Sequence, residues 1–146
     1  MFLVVTRSFP PEVGGMQVLM GGLSEGLHEH GFVKVFANEF PNSENFDKKS
    51  SIDIERIKGI RLFRKYRKAN LVKQFINLNP NIKAIFFDHW KSLELIDKNY
   101  LKKTKTLCLT HSKEINHATG SFLNKRLSSF FIARLKFLFF PANLAE

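Results

Sequence analysis

The chain has 146 residues, a hydrophobic fraction of 44%, a formal net charge of +10 and one cysteine, Cys108. The length suits one domain, the apolar fraction excludes a disordered chain, and the lone cysteine excludes an internal disulfide framework and a cysteine-based zinc site. The basic balance favours anionic partners such as nucleotide phosphates, nucleic acid or anionic lipid, with a solvated lysine-rich surface as the plain alternative.

Taken in order, the chain alternates strand and helix patterns. Met1 to Val5 lacks a basic leader region and is too short for a signal core, so Phe2–Thr6 reads as a first strand. The loop from Arg7 to Gly15 carries Pro10, Pro11, Gly14 and Gly15, which stop regular structure. Met16, Leu19, Met20, Leu23 and Leu27 then recur at helical spacing, and Gly31 stands where a helix C-terminal glycine belongs. Val33–Ala37 reads as a second strand, and the polar stretch from Asn38 to Ser51 as a loop. Ile52–Ile57 alternates apolar and polar residues as a half-exposed or edge strand does, and Gly59 ends it. Arg61 to Leu78 is predicted helical, with Leu62, Tyr66, Ala69, Val72 and Ile76 on one face. Lys83–Phe87 is a strand, Ser92 to Leu101 a short helix, and Thr106–Thr110 a further strand. A last helix from Ser121 to about Lys136 and a strand over Phe137–Phe140 complete the pattern. The run from Phe130 to Phe140 contains Arg134 and Lys136 and falls short of the ~20 apolar residues that span a bilayer. A soluble or peripheral protein is expected.

Such alternation predicts an α/β fold: a Rossmann-like, doubly wound, mostly parallel sheet with helices on both faces. Sheets of this kind bind ligands at the carboxyl ends of their strands. Gly14-Gly15 precedes an amphipathic helix, where unpaired amides and the positive end of the helix dipole favour phosphate. A tight turn is the simpler alternative. The pair is neither a dinucleotide fingerprint nor a lysine-ending phosphate loop. Asp88 and His89 at a strand end are candidates for acceptor hydroxyls, although Trp90 reads more simply as core and Ser92 as a helix cap. His111, predicted at another strand end, has the chemistry to donate to an oxygen-rich ligand or move a proton. No Asp/His array has metal-ligand spacing. Arg61, Arg64, Lys65 and Lys68 fall at i, i+3, i+4 and i+7, an exposed basic face suited to an anionic membrane surface or to solvent alone. No nucleic-acid recognition motif accompanies the charge.

The order Phe9-Pro10-Pro11, Gly14-Gly15-Met16, a helix and then His30-Gly31-Phe32-Val33 resembles the opening of the retaining glycosyltransferases of family 4, which have two Rossmann-like domains facing a cleft (the GT-B architecture). Phe32 stands where that family usually has histidine. His111-Ser112-Lys113-Glu114 resembles the family's His-Gly-x-Glu motif, with Ser112 in the glycine position. Phe140-Pro141-Ala142-Asn143 is similar to its cleft-side turn, with Ala142 in place of serine.

The resemblance implies that residues 1–146 form one N-terminal, acceptor-side domain. A C-terminal nucleotide-sugar-binding domain, absent here, would share the donor with it. Gly14 and Gly15 would face the donor diphosphate, His111 the transferred sugar, and Glu114 and Asn143 the acceptor side of the cleft. The implied acceptor is a lipid, polysaccharide or small molecule. Neither a metal nor a bound organic cofactor is expected, and the chain alone should not transfer sugar. The expected location is cytoplasmic, peripheral at the inner face of the membrane. The alternatives are a stand-alone nucleotide-binding module without catalysis and a basic docking protein for membranes or nucleic acid.

Overall fold

In the computed structural model, residues 1–101 and 104–109 are described. Five strands, β1 (Phe2–Val5), β2 (Val33–Asn38), β3 (Asp53–Ile57), β4 (Ala84–Phe87) and β5 (Lys105–Cys108), form one sheet in the order β3-β2-β1-β4-β5. Every neighbouring pair is parallel, and Val4 of the central strand aligns with Val35 on one side and Phe86 on the other. The doubly wound α/β class expected from the strand–helix alternation is the one observed.

A parallel sheet must be covered on both faces, because its crossovers lie there. Strand β1 shows the result. Leu3, Val4 and Val5 are all buried, with Leu3 and Val5 turned to one face and Val4 to the other. Helix α1 (Gly15–His28) covers the Val4 face with Met20, aided by Met16, Leu23 and Leu27. Helix α3 (Arg61–Leu78) covers the Leu3 face with Ala69 and Val72. Strand order runs outward through β2 and β3 and then returns to the far side of β1, so the chain reverses direction between β1 and β4.

Two segments differ from the sequence expectation. Residues 43–49, expected as loop, form helix α2 (Ser43–Lys49). Its anchors are tertiary: the Phe46 ring meets Phe9 edge-on at 6.5 Å, and Asp47 pairs with Arg56 at 2.7 Å. The single helix expected over 92–101 is instead two short turns, α4 (Trp90–Leu93) and α5 (Lys98–Leu101). His89, rather than Ser92, caps α4, its Nδ1 accepting from the Lys91 amide at 3.0 Å. Between the turns Ile96 is buried, and the Asp97 carboxylate accepts from the Asn99 amide to start the second. The strand and helix expected beyond residue 120 lie outside the described residues. Among the described residues no helix is long and apolar enough to cross a membrane.

Arg56 fastens the loop that follows β1. Its guanidinium reaches the two oxygens of Asp47 at 2.7 and 2.9 Å, donates to the Pro10 carbonyl and lies 5.6 Å from the Phe9 ring centroid. Its side chain is only 6% exposed. Removing one member of a buried pair leaves the other without its partner. Arg56→Ala is therefore expected to lower the unfolding free energy by about 3 kcal/mol. Arg56→Lys should recover only part of that, because an ammonium cannot reproduce the planar fork. Urea denaturation of the three proteins measures both effects.

Candidate functional site

In an open parallel sheet, the crevice lies at the carboxyl ends of the strands where the strand order reverses. Here that place is bounded by Thr6-Arg7-Ser8 after β1 and Asp88-His89 after β4, with Asn38 at the end of β2. Asp88 joins the two central strands. Its Oδ2 accepts from the Arg7 amide at 2.6 Å, and its Oδ1 accepts from the Ser92 hydroxyl at 2.9 Å. The Thr6 hydroxyl lies 3.1 Å from Asp88 Oδ2 and 2.8 Å from the Ser8 carbonyl, so its one proton serves one of them at a time. The Arg7 guanidinium approaches to 3.7 Å.

Asp88 and His89, expected as candidates for acceptor hydroxyls, are both turned inward. Asp88 is 1% exposed with both oxygens engaged by internal donors, and His89 is buried as the cap of α4 beside the Trp90 ring. Both residues hold the floor of the crevice. Trp90 is core, as the simpler sequence reading has it.

The expected exposed basic face is corrected at Lys68. The helical spacing with Arg61, Arg64 and Lys65 is present, and Arg61 and Lys65 are exposed. Lys68, however, is buried, and its Nζ donates to the Thr6 carbonyl at 2.7 Å and to Asn38 Oδ1 at 3.0 Å. The reason is one of length. Eighteen helical residues span about 27 Å, whereas strands of four to six residues span about 13–20 Å. The first turns of α3 overhang the carboxyl ends of the strands, and from Lys68 onward the same face rests on the sheet. Lys68 is thus a crevice residue. Its place in line with Val72 and Phe75, at i+4 and i+7, is the signal that points inward.

Burial lowers the Lys68 pKa from 10.5 to about 8; the nearby Asp88 charge acts against the shift, and Arg7 and Arg64 add to it. The ammonium is held in place by an oxygen cage from two strand ends.

Gly14 is the N-cap of α1, in extended backbone and with no side-chain cap, and Gly15 is the first helical residue. A Cβ placed on Gly15 would meet nothing within 4 Å. Gly15 is exposed, whereas Gly14 has the Gln17 side chain lying against it. Nearby, a groove of about 540 Å³ runs between the segment after β2 and the start of α3, with Glu39, Asn42, Arg56, Lys58 and Arg64 in its walls. Among the described residues no group of three or more His, Cys, Asp or Glu side chains is placed to hold a metal ion. His111, Glu114 and Asn143 lie outside the described residues.

No protein-family profile and no curated protein matches the sequence. Among solved structures, the chain is similar to MurG of Acinetobacter baumannii, with a TM-score of 0.54, 15% identity and 98% of this chain covered. The chain spans 44% of that protein's length. Together with the sheet order, this defines a Rossmann-like domain with a GT-B glycosyltransferase-like fold. The likeness is one of architecture and does not select family 4.

The buried lysine has a consequence that a titration can read. Above pH 8 the native state gives up the Lys68 proton while the unfolded chain keeps it to about 10.5, so the unfolded state binds more protons and stability rises with pH over that window. The stability of the parent relative to Lys68→Met should increase by about 3 kcal/mol between pH 7 and pH 10.5. Parallel denaturation curves at the two pH values check this, the other titrating groups cancelling in the difference.

Proposed function

We propose that the chain is the acceptor-side domain of a retaining, nucleotide-sugar-dependent glycosyltransferase of the family 4 type. It works with a second domain that binds the nucleotide. The observation that carries this reading is the uncapped α1 entry at Gly14-Gly15, opening at the carboxyl rim of a GT-B-like sheet. Gly14 gives the helix no side-chain cap among the described residues, and the positive end of the dipole suits a diphosphate whose charge grows as the sugar leaves.

In the proposed reaction the bond from the anomeric carbon to the diphosphate oxygen breaks, the acceptor hydroxyl oxygen forms the new glycosidic bond, and the hydroxyl proton passes to the departing diphosphate. His111 holds the transferred sugar, and Glu114 and Asn143 serve the acceptor. Asp88 and Lys68 keep the rim in shape from below. The acceptor class is a lipid, polysaccharide or small molecule, the reaction needs neither a metal nor an organic cofactor, and the setting is the cytoplasm. Orientation of two reactants in a dry cleft is worth ~7–11 kcal/mol. One wall of a two-walled cleft does not supply it.

The test is transfer by residues 1–146, alone and with a GT-B nucleotide-binding domain added, against a panel of nucleotide sugars. No turnover is expected from the lone chain. In the active pair, Gly15→Val should reduce turnover by roughly 10²-fold or more with the thermal melt unchanged, since the added side chain enters open space. His111→Ala should also lower turnover more than stability. Robust transfer by the lone chain would refute the two-domain reading. Saturable nucleotide binding by the lone chain without transfer would favour a nucleotide-binding module instead.

A further inference from the structure

Three cations gather at the crevice with one carboxylate among them. Lys68 lies in the floor, its Nζ on the Thr6 carbonyl and Asn38 Oδ1. Arg7 follows Thr6 in the chain, and Arg64 stands one helical turn before Lys68. Both guanidiniums are near enough for their charge to act on the Lys68 ammonium, and among the described residues Asp88 is the one acid that opposes them there. No acidic residue occurs between Glu55 and Asp88, so α3 brings none to this place.

Elsewhere in the domain cations face acids. Lys34 pairs with Asp53 and Glu55, Arg56 with Asp47, and Lys58 with Glu44. Asp88 does not do the same for the crevice. Its oxygens are taken by the Arg7 amide and the Ser92 hydroxyl, and the Arg7 guanidinium stands off at 3.7 Å with 45% of the side chain exposed. That separation is longer than a hydrogen bond. Arg64 donates to the Gly59 carbonyl from Nε at 3.1 Å and Nη2 at 2.8 Å, a neutral partner that fixes the fork without cancelling its charge. Lys68 likewise has only neutral oxygens around it. The result is a notch with an excess of positive charge over a buried floor, an arrangement that concentrates the field on an incoming anion.

We infer that the notch between Arg7 and Arg64, above Lys68, binds the phosphate or carboxylate group of a small polyhydroxylated acceptor. The planar fork of Arg7 offers paired donors to an oxyanion, Arg64 meets it from the helix side, and Lys68 adds charge from below without touching it. Arg64 is also a wall of the groove of about 540 Å³, so a ligand anchored at the notch extends into that groove. Asn42, Asn45 and Glu39 line it, amide and carboxylate groups that donate to and accept from hydroxyls. A cavity of this volume holds a small molecule rather than a polymer. Calling the ligand an acceptor rests on the transferase reading above, whereas the anion site itself does not.

The test is calorimetric titration of the full chain with glucose 6-phosphate, glucuronate and glucose at ~0.15 M salt, where distant surface charges are screened. One of the two anionic sugars should bind at least ~10-fold more tightly than glucose, and which one does so identifies the anionic group. Arg7→Gln and Arg64→Gln should each weaken that binding by ~10-fold. Arg61→Gln removes the same charge from the exposed side of the same helix and should change it by less than ~2-fold. Binding of glucose 6-phosphate should also weaken between pH 7 and about pH 9. The phosphate monoester is already dianionic above ~6, while Lys68, with its pKa lowered to about 8 by burial, loses its proton over that range. The other charged groups facing Lys68 are Arg7, Arg64 and Asp88. Lys68→Met should bind more weakly and lose this dependence. Parent-like binding by both glutamine variants at Arg7 and Arg64 would overturn the inference, as would an equal loss in Arg61→Gln or no preference for either anionic sugar. Displacement of the sugar by uridine diphosphate, with the same dependence on Arg7 and Arg64, would overturn its assignment to an acceptor. Turnover is no part of this readout, so failure of the transferase reading leaves the binding result standing.

Discussion

The ammonium of Lys68 is the point on which the crevice depends. It reaches from α3 through the sheet's carboxyl edge to the end of β1 at the Thr6 carbonyl and the end of β2 at Asn38. Asp88 closes the other side by accepting from the Arg7 amide and the Ser92 hydroxyl. Three strand ends and two helices are therefore joined through one cation and one carboxylate, both almost out of water. Burying a charge costs free energy unless its hydrogen-bonding capacity is met. Such a junction gives little net stability, but it defines which backbone groups face inward where the strand order reverses.

Above this junction the loop after β1 crosses the rim, pinned by Phe9 and Arg56, and delivers the chain to Gly14 and the open start of α1. The rim is thus built in two tiers. The lower tier holds Asp88, His89 and Lys68, all buried and hydrogen-bonded within the chain. The upper tier holds the uncapped helix entry and the groove between Asn42 and Arg64. The mismatch between a long helix and short strands extends this upper tier sideways. It leaves the first turns of α3 without a sheet to rest on, which is why charged and apolar side chains stand exposed together there.

Much of this was legible from residue order. The mostly apolar runs at Phe2–Val5, Val33–Ala37 (interrupted by Lys34) and Ala84–Phe87 belong to strands packed on both faces, a pattern that needs no knowledge of the partners. The alternation around Ile54 marked a half-exposed or edge strand, and among the described strands β3 lies at the edge of the sheet. Helix α3 begins and ends where its periodicity and the breaks at Gly59 and Asn79-Pro80 place it. Helix α2 was not legible, because Ser43–Lys49 has few apolar residues and its order comes from Phe9 and Arg56, distant in sequence.

By itself, the sequence determined the parallel α/β class, the position of most elements and the glycine entry to α1, since hydrophobic period, turn residues and helix-end glycines act over a few residues. Only the tertiary structure decided which polar side chains face the crevice floor. Lys68 and Lys65 are chemically alike and belong to one helical face, yet one is exposed and the other caged by two strand ends. Asp88 likewise sits in a strand-end position that sequence associates with ligands, and it is spent on Arg7 and Ser92. Both outcomes follow from where the helix axis crosses the ends of the strands, a distance in space that no local pattern of residues encodes.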